Sequence, residues 1–234
     1  MSIAENLAEV RQRIVSAARR AGRSPEEIAL MAVSKTFPSE KVREAFAAGQ
    51  RLFGENRVQE LAGKVESLSD LSAEWHLIGH LQTNKARKAA ELNVAIDSVD
   101  SLRLAEKLHA SAQQSNQKTP ILLEINIGGE DAKSGLAPES PELAQVLQAA
   151  PQLDHLEIRG LMAIPPFTED PEGARPYFRR MQELRRKIAA RKLPAVAMDT
   201  LSMGMSHDFE VAIEEGSTCV RVGTAIFGER KKAV

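Results

Sequence analysis

Eight short apolar runs alternate along this chain with longer stretches of helical spacing, and no other regularity limits the fold as tightly. The apolar runs lie at 28–34, 51–54, 75–79, 94–99, 121–127, 156–164, 197–203 and 219–226. The helical stretches between them cover about 39–49, 58–68, 84–92, 101–114, 141–150, 173–191 and 207–215. Parallel strands need a crossover of a dozen or more residues, which these intervals supply. The alternation therefore predicts an α/β fold, a (β/α)8 TIM barrel. An open doubly wound sheet is the runner-up, and no G-x-G-x-x-G after an early strand supports it. Ile3, Leu7, Val10, Ile14 and Ala17 predict an extra N-terminal helix, with Ser2 as its cap and Gly22 as its stop. That helix is expected to fill the gap where a helix after the eighth strand would stand. No linker or low-complexity stretch divides residues 1–234, so one domain is expected.

Composition narrows the function classes. Net charge is −1 with 31 basic and 32 acidic residues, which gives no electrostatic case for nucleic acid or a membrane surface. No apolar stretch is long enough to span a bilayer. The acidic, amphipathic start MSIAENLAEVRQR lacks the basic and apolar regions of a secretory signal, so a cytoplasmic location is expected. A single cysteine, Cys219, excludes an internal disulfide and reads as a small core side chain within a strand.

In such a barrel, chemistry gathers at the C-terminal ends of the strands. Read in order, that rim carries Lys35; Glu55 and Asn56; His80 and Gln82; Ser98 and Asp100; Asn126, Lys133 and Ser134; Met162; Met205 and Ser206; and Arg221, Gly223 and Thr224. A lysine ending an apolar strand sits in a poorly solvated mouth, where a neutral amine can attack a carbonyl; the alternative is an ion pair with Glu55. Ser206, Gly223 and Thr224 follow strands seven and eight, where barrels commonly bind phosphate, with Ser206 as cap of the 207–215 helix. The alternative there is a capping serine and a turn glycine with no ligand. Arg221 alternates with Val220 and Val222, and burying it alone would be costly. It is expected either to pair with a carboxylate in the barrel or to donate to a ring nitrogen. Lys85, Arg87 and Lys88 read as a solvated face, and His76 and His80 are not at a metal-ligand spacing with identifiable carboxylates, so no metal is expected.

The motifs MAVSKTFP, LFGENRVQE, WHLIGHLQTNK, IRGLMAIPP, LSMGMSHDFEVAIEEGST and VRVGTAIFGER, spread over nearly the whole chain, resemble the pyridoxal-phosphate homeostasis protein family. These single-domain proteins are similar to the N-terminal barrel of alanine racemase. The resemblance implies that Lys35 holds pyridoxal 5′-phosphate as a Schiff base. It also implies that Asn56 lies beside the cofactor and Met162 against its ring. Ser206, Gly223 and Thr224 would take the phosphate, with Met205 contributing backbone, and Arg221 would face the pyridine nitrogen. Lys133 matches a family lysine of unassigned role. An arginine stays protonated and cannot protonate the ring nitrogen, so the ring would be a weak electron sink. Alanine racemase also takes a tyrosine base from a second domain of its partner subunit, whereas the one tyrosine here, Tyr177, falls at a helix start. The expected function is a monomeric, non-catalytic carrier of the cofactor, with apo pyridoxal-phosphate enzymes as transient acceptors. A pyridoxal-phosphate racemase or decarboxylase, and a cofactor-free Schiff-base aldolase, are the competing readings.

Overall fold

The computed structural model of the chain describes residues 1–130 and 134–229. Among them, β1 (Ala29–Val33), β2 (Leu52–Glu55), β3 (Glu74–Leu77), β4 (Ala95–Val99), β5 (Thr119–Ile125), β6 (Leu156–Ala163), β7 (Val196–Met205) and β8 (Cys219–Val222) form a closed barrel in chain order. Every neighbouring pair is parallel, and β8 closes on β1 with Met31 opposite Arg221. The helices are α1 (Ile3–Arg20), α2 (Ser39–Ala47), α3 (Val58–Ser67), α4 (Ala86–Glu91), α5 (Leu102–Gln114), α6 (Pro141–Ala149), α7 (Arg175–Ala190), α8 (Phe209–Glu214) and α9 (Thr224–Phe227). The expected TIM barrel is what the chain forms.

Strand alternation sorts the side chains into two layers. Phe53, Trp75, Leu77, Ile96, Leu123, Ile125, Leu161, Leu201, Val220 and Val222 point outward and join the apolar stripes of the helices in one core. Inside the barrel, Met31, Val33, Ile78 and Cys219 form a smaller apolar cluster. Polar residues share that interior: His76, Asp97, Glu124, Ser202 and Arg221 stand on the inward register of β3, β4, β5, β7 and β8. Cys219 is buried, as expected, and burial pushes its thiol up to about 12, so it stays protonated.

Helix α1 begins at the expected cap. Ser2 accepts from the Glu5 N–H while the Glu5 carboxylate takes the Ser2 N–H, and Gly22, at φ 65°, ends it. It completes the helical ring between α8 and α2. Arg13 pairs with Glu210 at 2.9 Å, Arg11 donates to the Ala48 carbonyl at 3.1 Å, and Asn6 donates to the Ile226 carbonyl at 2.8 Å. Among the described residues, the helix that follows β8 has four residues.

Boundaries differ from expectation most consequentially around the last two strands. The last strand stops at Val222, and 224–227 is the helix α9. Strand β7 runs on to Met205. The helix expected over 207–215 contracts to Phe209–Glu214, and its cap position is Asp208 rather than Ser206.

Candidate functional site

The turn after β1 is held from behind. Lys64, on the buried stripe of α3, donates to the Ser34 carbonyl at 2.7 Å, to Glu55 Oε1 at 2.6 Å and to Glu60 Oε1 at 2.9 Å. The Ser34 hydroxyl donates to the same Glu55 oxygen at 2.6 Å. Glu55 therefore faces the helix layer, where Lys64 takes the place that the alternative reading gave to Lys35. Burial raises the Glu55 pKa against the pull of Lys64 and Ser34. Beyond Lys35, Thr36 sits at φ 70°, a region that β-branched residues rarely enter, and its N–H donates to Glu60 Oε1 at 2.6 Å. Lys35 thus stands half-buried between two anchored residues, on the inward register set by Met31 and Val33. Strain beside a candidate nucleophile is typical of functional positions.

Across the β1–β8 seam lies the turn from Gly223 into α9. A Cβ on Gly223 would come within 3.2 Å of the Val33 carbonyl oxygen, so the two strand ends approach closely because that residue has no side chain. The Ser206 hydroxyl, at the end of β7, accepts from the Gly223 N–H at 3.2 Å and the Ala225 N–H at 3.5 Å. Its own proton remains available to an incoming anion. Ser206 serves α9 and not α8, which corrects its expected capping role. Asp208 accepts from the Met205 N–H at 2.7 Å and fixes that corner. Thr224 is exposed, while Met205 and Ser206 are half-buried.

Arg221 is 4% exposed inside the barrel. It donates to Ser202 Oγ at 2.7 Å and to the Ala163 carbonyl at 2.9 Å, so it reaches across β7 to the top of β6. The expected carboxylate partner is not what holds it, although burial lowers its pKa and Cys219, Asp97, Asp208 and Glu124 oppose that. Met162 is fully buried one residue before Ala163. Asn56 is half-buried at the end of β2, and a Cβ on Gly79 would come within 2.3 Å of its carbonyl oxygen. A cleft of about 470 Å³, lined by Asn56, Arg57, Gly79, His80 and Lys85, opens beside it. Another cleft, of about 500 Å³, lies between the turn after α1, helix α7 and the end of α8, among Arg23, Arg179, Arg186 and Glu214, away from these strand ends.

The expected residues Lys35, Asn56, Met162, Met205, Ser206, Arg221, Gly223 and Thr224 therefore fall on one arc of the mouth, from β6 through β8 to β2. Lys133 lies outside the described residues. Sequence reasoning missed Lys64 and Glu60, though a lysine on the stripe Val58, Leu61, Lys64, Leu68 was a readable signal. It also missed the other charged residues inside the barrel. His76 contacts Asp97 at 2.9 Å and Glu74 at 3.3 Å. Burial disfavours the charged ring, but Asp97 and Glu74 outweigh it and push the pKa up to about 9. A charged residue within an apolar run, the signal that singled out Arg221, also marked Asp97 and Glu124.

This donor set suits pyridoxal phosphate: an amine for the aldehyde, amides and hydroxyls for an anion, and a cationic side chain beneath the gap between them. The family described as alanine racemase, N-terminal domain, matches residues 5–231, which sets the class of the barrel. An alanine racemase of Clostridium difficile shares that fold, with a TM-score of 0.70 at 15% identity over 98% of this chain and 57% of that one. Nearer relatives narrow the class. The pyridoxal phosphate homeostasis protein of Aquifex aeolicus is 46% identical over 231 residues, covering 99% of this chain and all of that protein. PipY of Synechococcus elongatus, solved with PLP bound, is 38% identical with a TM-score of 0.80, covering 97% of this chain and all of that one. The chain belongs to the pyridoxal phosphate homeostasis protein family.

Proposed function

We propose that this protein binds pyridoxal 5′-phosphate and serves as an intracellular carrier of it, with the whole barrel as one cofactor-binding unit. The observation that carries the reading is the close approach of Gly223 to Val33 across the β1–β8 seam, which brings the strand end bearing Lys35 to the Gly223 turn, with Arg221 below it opposite Met31. Lys35 Nζ would hold the aldehyde as a Schiff base, and the backbone that Val33 and Gly223 bring together would keep that linkage near the anion donors. The Ser206 hydroxyl proton and the turn at Gly223 and Thr224 would hold the phosphate, with Ser206 fixing that turn through the Gly223 and Ala225 amides and Met205 contributing backbone. Arg221 would present its cation on the side of Met162 and Ala163, and Asn56 would close the β2 side. When bound, the cofactor supplies an electron sink whose strength depends on protonation of its ring nitrogen. Arg221 gives up its proton to no ordinary base, so it favours holding over turnover. The relatives' name and the PLP-bound PipY support cofactor binding. The monomeric, cytoplasmic carrier that hands its cargo to apo enzymes, with no catalysis of its own, is the finer part of this proposal. Among the described residues no helix is long and apolar enough to cross a membrane.

The purified protein should absorb in the visible after incubation with pyridoxal phosphate. Borohydride should fix one cofactor per chain on the peptide bearing Lys35, and Lys35→Ala should abolish the fixed adduct. An adduct at full yield in that variant would refute the lysine's assignment. Exchange of an amino acid's α-proton in deuterated water at enzymatic rates would replace the carrier with a racemase or decarboxylase.

A further inference from the structure

The basic run Lys85, Arg87 and Lys88 is divided by the fold. Arg87 pairs with Glu91 at 2.9 Å on α4. Lys85 instead lines the cleft of about 470 Å³ that opens beside Asn56, beyond the ends of β2 and β3. Arg57, Gln59, His80 and Gln82 line it as well, and among the described residues no acidic side chain does. His80 is 3.1 Å from Asp100. The side chains of Asn56, Arg57, Gln59, Gln82 and Lys85 make no hydrogen bond or ion pair among the described residues. Helix α3, ten residues long, starts in the wall of this cleft with no side-chain cap on its first turn, so its positive end adds to Arg57 and Lys85.

The chain as a whole carries a net charge of −1, so this positive lining is a local feature. The other large cleft, by Arg23 and Arg179, shows the contrasting case of a self-compensated surface. Arginines and glutamates line it in equal number, Arg23 pairing with Glu27 at 3.3 Å and Arg179 with Glu215 at 3.0 Å. Beside Asn56 no lining side chain supplies the negative charge. Two cations held at one cleft match a dianion better than a single carboxylate, and a phosphate monoester carries about −1.5 to −2 charges at neutral pH. A guanidinium takes two oxyanion oxygens as a fork, an ammonium takes one as a point charge, and neutral amides serve the remainder.

We propose that Arg57 and Lys85, with the amides of Asn56, Gln59 and Gln82, form a second phosphate-ester site at the rim of the mouth, separate from the corner at Ser206. Its use rests on the carrier reading, since a phosphate ester held here occupies the mouth while the Ser206 corner is filled; its existence does not. The whole protein, carbon-13 labelled in the rings of its five histidines, is titrated at fixed pH with methyl phosphate and, separately, with acetate. The His80 signal, assigned by His80→Gln, should shift saturably with methyl phosphate and respond far more weakly to acetate. Arg57→Gln and Lys85→Gln should each weaken methyl phosphate by about tenfold, the scale of a lost charge-assisted hydrogen bond. Neither residue holds another part of the chain, and the remaining histidine signals report that each variant is folded. Ser206→Ala should leave the His80 titration unchanged. An absent wild-type shift, wild-type affinity in both the Arg57 and Lys85 variants, or loss of the His80 response in Ser206→Ala overturns the second site. Acetate bound as tightly as methyl phosphate overturns its assignment to phosphate esters. A protein that takes up no pyridoxal phosphate on Lys35 refutes the carrier instead.

Discussion

Lys35 owes its position to residues that never touch the mouth. Lys64 joins the Ser34 carbonyl, Glu55 and Glu60 in one buried cluster, and Glu60 in turn holds the strained Thr36. Removing one partner of a buried ion pair costs about 3–5 kcal/mol, because the other charge is left uncompensated. Lys64→Met should therefore lower stability by roughly that amount, measured by urea unfolding, and Glu55→Gln added to it should restore much of the loss. If the single variant unfolds like wild type, the cluster does not anchor the turn. Lys35 was legible in the sequence because a lysine ending an apolar strand needs only the strand to be recognised. Lys64 was readable as a lysine on a buried stripe, but what it holds was not, because Glu55 and the Ser34 carbonyl lie 9 and 30 residues away and only folding brings them together. Arg221 was legible as an oddity within a strand, but its partners were not. A hydroxyl on β7 and a carbonyl on β6 are set by barrel register, which a single sequence does not display.

At the scale of elements, the apolar strands and amphipathic helices were readable, and the corner from β7 through α9 was not. Residues 206–209 look like a helix start because serine and aspartate both cap helices. The two are divided in space: Asp208 accepts from the Met205 N–H, while Ser206 turns to the start of α9. The Gly-Thr after β8 belongs to a helix of four residues, too short for any periodicity to announce. Ser206→Ala removes the acceptor of two amides at an open turn. Two bonds of about 1 kcal/mol each are at stake, and water can replace part of them, so stability should change little. Affinity for pyridoxal phosphate, and for inorganic phosphate as its competitor, should fall about tenfold by equilibrium dialysis. Unchanged affinity for both anions would remove Ser206 from the phosphate site.

For the whole molecule, the charged barrel interior sets a direction for pH dependence. His76 has its pKa raised from 6.5 to about 9, so the folded state holds its proton more tightly than the unfolded chain. That contribution is complete below about 6.5 and is lost as pH rises through about 9. Glu124 and Glu55 are raised by burial, so their ionised forms are disfavoured in the fold, and stability falls as pH climbs above their unfolded value of 4.5. On the surface, Glu214 is lowered by Arg175 and Arg20 despite some burial, and its contribution disappears as pH falls through its folded value. The interior groups thus favour mild acid and the surface pairs oppose strong acid. The melting temperature should be highest on the acid side of neutrality and decline between pH 7 and 10. His76→Phe should flatten that decline, because neither state of the variant then takes up the proton. The same group gives a direct check: among the five histidines, one ring-carbon resonance should titrate with a midpoint near 9 in the folded protein. A midpoint near 6.5 for His76 would mean that Asp97 does not hold an imidazolium inside the barrel, and the predicted alkaline decline would have to come from another group.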